Sequence, residues 1–271
     1  MTNPFTDVLI AEFRAQEGRL SGPFADARML LLTTTGRRSG RPHTTALGYY
    51  PDGERLLVVG SALGADQHPD WFHNLQANAE VTVETGVFTY EADAVPLEGA
   101  ERDEVFARLV EADAGWGEYQ AKTSRTIPVV ALVQRQAGPP GGADSFAELL
   151  IKVHKTFRRE LELIRAEVAA SGTAGLGAQL RINCLTLCQG LHNHHTGESM
   201  GLFPGLRELH PELATEIDAL QAEHDQIGVR LEALEKLLSE PSPDLATEVD
   251  RLADLLIAHL DHEEAALLSY L

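Results

Sequence analysis

Residues 213–238 read LATEIDALQAEHDQIGVRLEALEKLL. Stepping alternately four and three residues gives Leu213, Ile217, Leu220, His224, Ile227, Leu231, Leu234 and Leu238, the seam of a helix that faces a bundle core. One slot in that seam is a histidine. The helix predicted over 244–270 runs Leu245, Val249, Leu252, Leu256, His259, Glu263, Ala266 and Tyr270, with two consecutive polar slots. The helix predicted over 178–200 repeats this as Leu180, Cys184, Leu187, Leu191, His194 and Glu198. A further one over 145–169 gives Leu150, His154, Phe157, Leu161, Ile164 and Val168. Each seam is thus interrupted by a group able to bind metal. A buried charge without a partner costs of the order of several kcal/mol, and six such groups are stable together when they share metal ions.

Gly172, Gly175 and Gly177 separate the first two helices, Pro204 and Pro211 bound the next gap, and Pro241 with Pro243 mark the last. Short connections make neighbours antiparallel, so an up-down-up-down four-helix bundle is expected. At a rise of ~1.5 Å per residue, the six groups fall at one level, near one end. The second and fourth helices lie diagonally opposite, so Glu198 and Glu263 meet across the axis and bridge two ions, each with a histidine one turn away. Taken singly, each of the six reads more readily as a core histidine or a solvated acid. His192, His195, His210 and His262 are assigned to that ordinary class, with His195 and His262 near enough to support ligands from behind.

The pattern His154, His194-x3-Glu198, His224, His259-x3-Glu263, with LFP at 202–204, resembles the hemerythrin-like family across 145–271. The resemblance implies two iron ions bridged by Glu198 and Glu263, with His154, His194, His224 and His259 terminal. Oxygen-carrying members place a second histidine one turn after the third-helix ligand, where this chain has Gly228. Fewer protein ligands leave an iron more open, which favours oxygen activation, peroxide reduction or sensing over reversible oxygen transport.

Upstream, AGPPGGA at 137–143 marks a linker, and Ser145 with Glu148 has capping-box spacing. The expected domains are residues 1–136, a linker at 137–144, and 145–271. At 271 residues the chain is long enough for two cores. Strand patterns occur at 29–35, 44–50, 55–60, 80–85, 87–95 and 127–133, with Asp52-Gly53 as a hairpin signal. Helical stretches are expected at 5–17, 69–77 and 99–112. Short strands with few helices predict a small closed barrel, making the chain an α+β two-domain protein.

Two segments of that half carry chemistry. Gly36-Arg37-Arg38-Ser39-Gly40 is a turn able to hold an anion through backbone N–H groups and guanidiniums. The run GSALGADQHPDWFHNL at 60–75 leads into a helix with Pro69 in its first turn, a second place for a phosphate. Both also read as plain surface turns. With RTIPVVAL at 125–132 they resemble the deazaflavin-dependent nitroreductase and quinone-reductase family of actinobacteria, over about residues 28–134. That resemblance implies a split β-barrel of the FMN-binding type and coenzyme F-420 (8-hydroxy-5-deazaflavin) as hydride donor. It places Arg37, Arg38, Ser39, Gly40, Ser61, Gly64, Ala65, Trp71 and Asn74 at coenzyme-holding positions and Tyr119 at a substrate-facing one. Relatives usually carry a lysine where this chain has Ala62, so FMN stays as the second candidate.

The net charge of −19, with no basic stripe, opposes nucleic-acid binding and anionic membranes. No apolar run approaches the roughly 20 residues of a spanning helix. The start lacks signal-peptide features, and Cys184 and Cys188 fit reduced core positions, so a cytoplasmic protein is expected. No nucleophile with a supporting triad stands out. The expectation is a redox enzyme whose barrel takes hydride from the reduced deazaflavin while a di-iron bundle reduces, activates or senses oxygen, peroxide or nitric oxide. Its rivals are an iron sensor that regulates the reductase and a non-enzymatic binding or storage protein. A small-molecule redox substrate and an oxygen-type ligand are the expected partners, with a homodimer left open.

Overall fold

The computed structural model describes residues 4–135, 145–171, 176–239 and 244–271. The 137–144 linker and the connections at 172–175 and 240–243 lie outside them. The chain divides into two compact units, Met1–Gly142 and Ala143–Leu271.

The first unit opens with α1 (Pro4–Ala15), followed by β1 (Met29–Thr35), β2 (Pro42–Asp52) and β3 (Arg55–Val59). Then come α2 (Asp70–Ala77), β4 (Glu80–Glu84), β5 (Thr89–Pro96), α3 (Gly99–Ala112), α4 (Gly115–Ala121) and β6 (Val129–Gln134). The strands close a barrel in the order β1-β2-β3-β6-β5-β4, every pair antiparallel. Alternate residues fill it: Leu30, Leu32, Val58, Val81, Val83, Ala92, Ala94, Val130 and Leu132 are buried together. Helices cover parts of the outside, so β1 is apolar on both faces. Leu31 packs on Phe13 and Leu20, while Leu57 and Ala131 meet Val105, Phe106 and Leu109 of α3. The hairpin forms one residue later than the sequence signal, because Asp52 pairs with Arg55 and leaves Gly53 (φ +64°) and Glu54 as the turn. Asp52 instead accepts from Arg55 Nε and Arg108 Nη2, both at 2.7 Å.

The second unit contains α5 (Phe146–Ser171), α6 (Ala178–Gly197), a π-helical turn at Glu198–Leu202, α7 (Phe203–Leu209), α8 (Ala214–Ser239) and α9 (Leu245–Leu267). The capping spacing is realised, since Glu148 N donates to Ser145 Oγ at 3.1 Å. Four long helices form a ring of neighbours, α5 with α6, α6 with α8, α8 with α9, and α9 with α5. The seam of α8 is buried from Leu213 to Leu238. Two expectations are corrected. Helical structure does not stop near residue 200: the π turn carries α6 into α7, and Pro204 opens that helix at a position where its missing N–H is not needed. The last seam position is not Tyr270, which is 37% exposed, but Leu267, because α9 ends there and a short 3-10 turn follows. No described helix is long and apolar enough to cross a membrane.

Candidate metal centre and coenzyme loops

The polar seam slots form one layer between two apolar clusters. On one side lie Leu191, Ile227 and Leu256; on the other Phe203, Leu220 and Leu267. Within the layer His154, His194, Glu198 and Glu263 converge, as do His195, His224 and His259, each set with ligand atoms within 4.8 Å of one another. All six sequence-predicted residues therefore meet, and His195 joins them.

The layer has a two-centre arrangement. His154 Nε2 and His194 Nε2 are 3.2 Å apart, and His224 Nε2 and His259 Nε2 are 3.1 Å apart. Two cis nitrogens, each ~2.1 Å from one ion, stand about 3 Å apart. Glu198 spans the two pairs, with Oε1 3.3 Å from His194 Nε2 and Oε2 3.6 Å from His224 Nε2. Glu263 Oε2 lies 3.3 Å from His154 Nε2 and 3.8 Å from His259 Nε2. Glu263 is fully buried, yet none of the four carboxylate oxygens has a hydrogen-bond partner. Such orphans cost of the order of 1–3 kcal/mol each, more when charged. Divalent ions held between the two histidine pairs would give these oxygens partners, so the residues fit such a group. Imidazole with carboxylate suits iron among the first-row metals.

Electrostatics agree with ligation. Burial, then the neighbouring His154, pushes His194 down to about 3; burial, then His259, pushes His224 down to about 4. Both rings are neutral at pH 7 and offer lone pairs. Burial first, and next the charge of Glu263, raises Glu198 to about 10, so without metal this carboxyl keeps its proton.

The outer nitrogens are held from behind. His154 Nδ1 faces Glu264 Oε1 at 2.9 Å, and Arg158 Nη1 donates to that oxygen at 2.7 Å. His259 Nδ1 faces Glu223 Oε2 at 2.8 Å, while His262 Nδ1 meets Oε1 of the same carboxylate, also at 2.8 Å. A carboxylate can only accept, so His154 and His259 donate from Nδ1 and turn Nε2 inward, while the Nε2 of His262 meets Glu216 Oε1 at 2.6 Å. Ser199 Oγ lies 3.0 Å from His224 Nδ1, and Phe203 stacks on that ring at 5.1 Å. Sequence reading missed Glu223, Glu264, Ser199 and Phe203. The first three directly adjoin ligands in sequence, but only helix rotation tells which neighbour turns back toward the layer. Exposed His192 takes no part, nor does half-buried His210, which packs on Tyr270 and lies 3.4 Å from Glu212 Oε1.

In the barrel unit, Arg37, Arg38, Ser39 and Gly40 form an exposed turn after β1. Gly40 has φ +64°, and its N–H donates to Gly36 O at 2.8 Å. A Cβ on Gly36 would stand 2.5 Å from Ser39 Oγ and 2.7 Å from the His43 ring, so those side chains would have to shift. Asn74 on α2 braces the turn: its Oδ1 accepts from Arg37 N at 3.0 Å, and its Nδ2 donates to buried Thr34 Oγ1 at 3.1 Å. Trp71 packs in the barrel core beside Leu30 and Phe72.

The loop after β3 is tightly wound. Ala62 (φ 46°), Leu63 (φ 56°) and Gly64 (φ 84°) all take left-handed backbone. Ser61 is buried, while Leu63 and Ala65 are exposed. Arg125 clamps this loop, donating to Ser61 O at 2.6 Å, Ala65 O at 2.8 Å and Gly60 O at 3.1 Å. No role for Arg125 was read from the sequence, although it opens RTIPVVAL. A Cβ on Gly64 would stand 2.9 Å from Tyr119 O and from Lys122 Cβ, which places α4 against the loop. Lys122 Nζ lies over the Tyr119 ring at 5.0 Å. The expectation of a phosphate at the α2 N-terminus meets an obstacle. Pro69 is the cap rather than a first-turn residue and offers no N–H, and Asp70 puts a negative charge in the first turn.

Residues 8–134 match a family model described as F420H(2)-dependent quinone reductase, and residues 145–271 one described as hemerythrin HHE cation binding domain. An F420H(2)-dependent quinone reductase of Mycobacterium tuberculosis is 38% identical over 131 residues, which is 46% of this chain and 87% of the relative. A solved F420-H2 dependent reductase is 36% identical, covering 39% of this chain and 93% of its own, with a TM-score of 0.36. Another structure, titled a domain-swapped dimer, is 34% identical over 45% of this chain and 90% of its own, with a TM-score of 0.38. The chain belongs to the F420H(2)-dependent quinone reductase family through residues 8–134, fused to a hemerythrin HHE domain over residues 145–271.

Proposed function

We propose that this protein is an oxidoreductase of two redox units. The barrel holds the reduced deazaflavin coenzyme across the 36–40 and 61–65 loops and passes its hydride to a quinone-type acceptor. The helical unit holds a carboxylate-bridged di-iron centre that meets oxygen, peroxide or nitric oxide. When bound, the coenzyme supplies the hydride chemistry and the iron the oxygen-type chemistry. The chain supplies position and charge: cationic Arg37, Arg38, Lys122 and Arg125 around the loops, and imidazoles turned inward by Glu223 and Glu264. Lys122, packed on Gly64, offers this loop a cation where Ala62 has none. The observation that carries the reading is the set of four unpartnered oxygens of Glu198 and Glu263 between two histidine pairs.

The test follows oxidation of reduced coenzyme F-420 by iron-loaded protein, with and without oxygen, beside a His194→Ala variant. Oxygen-dependent oxidation that the variant loses supports two units working in series. Oxidation only with an added quinone, unchanged in the variant, keeps the quinone-reductase reading of the barrel, makes the helical unit a sensor or bystander and refutes transfer between the two units. FMN in place of F-420 is the control for coenzyme identity.

A further inference from the structure

We propose that His195 is a ligand of the second metal ion, completing a three-histidine set with His224 and His259. The inference rests on the di-iron reading above. It concerns a residue that lies outside the His-x3-Glu spacing and that sequence reading set among the ordinary histidines.

His195 is 6% exposed, and its Nε2 has no hydrogen-bond partner. A buried imidazole nitrogen left bare is costly unless something accepts its lone pair or its proton. Helix geometry explains where it points. His195 follows His194 by one residue, about 100° further around α6. His194 accordingly meets His154 of α5, while His195 meets α8. Ser199, one turn beyond His195, lies on the same stripe and reaches His224 Nδ1 at 3.0 Å.

A ligand atom of each of His195, His224 and His259 lies within 4.8 Å of those of the other two, within reach of one ion. The ring centroids stand 4.3 Å (His195–His224), 4.7 Å (His224–His259) and 5.1 Å (His195–His259) apart. The His195 and His224 rings are stacked, with planes 20° apart, so His195 would turn its ring edge toward the ion on binding it. Toward the centre of the layer, Glu198 Oε2 and Glu263 Oε2 lie 3.6 and 3.8 Å from His224 Nε2 and His259 Nε2. Three nitrogens on one side and two carboxylate oxygens on the other make a five-ligand environment.

Gly228 then has a different meaning. The third nitrogen of this ion comes from α6 instead of from the next turn of α8. An ion held by His154 and His194 would then have one histidine fewer.

The deciding experiment titrates metal-free full-length protein with ferrous iron under anaerobic conditions and counts tightly bound equivalents. It compares the native chain with His195→Phe, which keeps a flat ring against His224 but has no nitrogen. The expected result is two equivalents for the native chain and one for His195→Phe, the second weakened at least 100-fold. Two equally tight equivalents in the variant would overturn the assignment and make His195 a packing ring. A native chain that takes up no iron would instead sink the di-iron reading itself. Circular dichroism monitors helix content, and His195→Gln, smaller and polar, replaces the phenylalanine variant if that one loses helix. The same loss of one equivalent is expected from it, and retention of both would count equally against the proposal.

Discussion

Arg125→Lys isolates what holds the 60–65 loop. The guanidinium makes three hydrogen bonds to the carbonyls of Gly60, Ser61 and Ala65 and a contact of 3.0 Å with His68 Nδ1. A lysine keeps the charge but, from one point, reaches one or two of these partners. Charge-assisted bonds contribute ~1.5–3 kcal/mol each when shielded from water. Arg125 is only partly buried, so a net loss of about 2 kcal/mol is the reasonable figure. The loop has little margin to absorb it, since Ala62 and Leu63 hold left-handed backbone that costs roughly 1–3 kcal/mol per residue. A ligand that needs the wound loop loses affinity in proportion to the fraction still wound, so up to ~30-fold weaker coenzyme binding is expected. Fluorescence titration with oxidised coenzyme F-420 measures it, with hydrogen exchange at residues 61–65 as the local readout. Unchanged affinity beside faster exchange would remove this loop from the coenzyme site. No change in either would refute the clamp.

Three further outcomes follow from the same geometry. Replacing Asn74 with Ala removes one bond to Arg37 N and one to Thr34 Oγ1 in a buried position. About 2 kcal/mol of barrel stability should go with them, read by urea unfolding, and a loss under 0.5 kcal/mol would show that the brace is idle. The double substitution Glu198→Leu with Glu263→Leu should abolish iron binding while raising metal-free stability by ~1–4 kcal/mol, because apolar groups replace unpartnered buried carboxyls. A lower melting temperature for the metal-free double variant would mean that those carboxyls already have good partners. In the barrel, burial raises the Tyr90 hydroxyl to about 12. Its folded pKa lies above the unfolded value of 10, so its contribution is complete below pH 10 and fades as pH rises through 12, by up to ~1.4 kcal/mol per pH unit. Tyr90→Phe should flatten that alkaline limb in unfolding measurements between pH 10 and 11.5, and an unchanged slope would contradict it.

The seam of α8 was legible because helical periodicity is local: once every third or fourth residue is apolar, His224 has nowhere to point but inward. The same arithmetic put His154, His194, Glu198, His259 and Glu263 at one level, and the described helices bring them into one layer. Strand patterns likewise found all six barrel strands, since alternation and β-branched composition are also properties of neighbouring residues. Helix α4 was missed because two glycines in GWGEYQA mask its helical signal. The end of α6 was misjudged because Pro204 reads as a stop, whereas a π turn lets the chain pass through it into α7.

What the sequence determined by itself is the six barrel strands and the four long helices with the inward side of each helix, which depend on residues a few places apart. Only the tertiary structure decided which atoms face one another. His194 and His195 are adjacent in the chain, yet about 100° of helix rotation sends them to different partners. Glu223 and Glu264 support His259 and His154 across helix pairs, over separations of 36 and 110 residues. Arg125 reaches loop carbonyls 60 to 65 residues earlier. Such pairings arise from packing, where contact is set by crossing geometry and side-chain reach and no spacing along the chain encodes it.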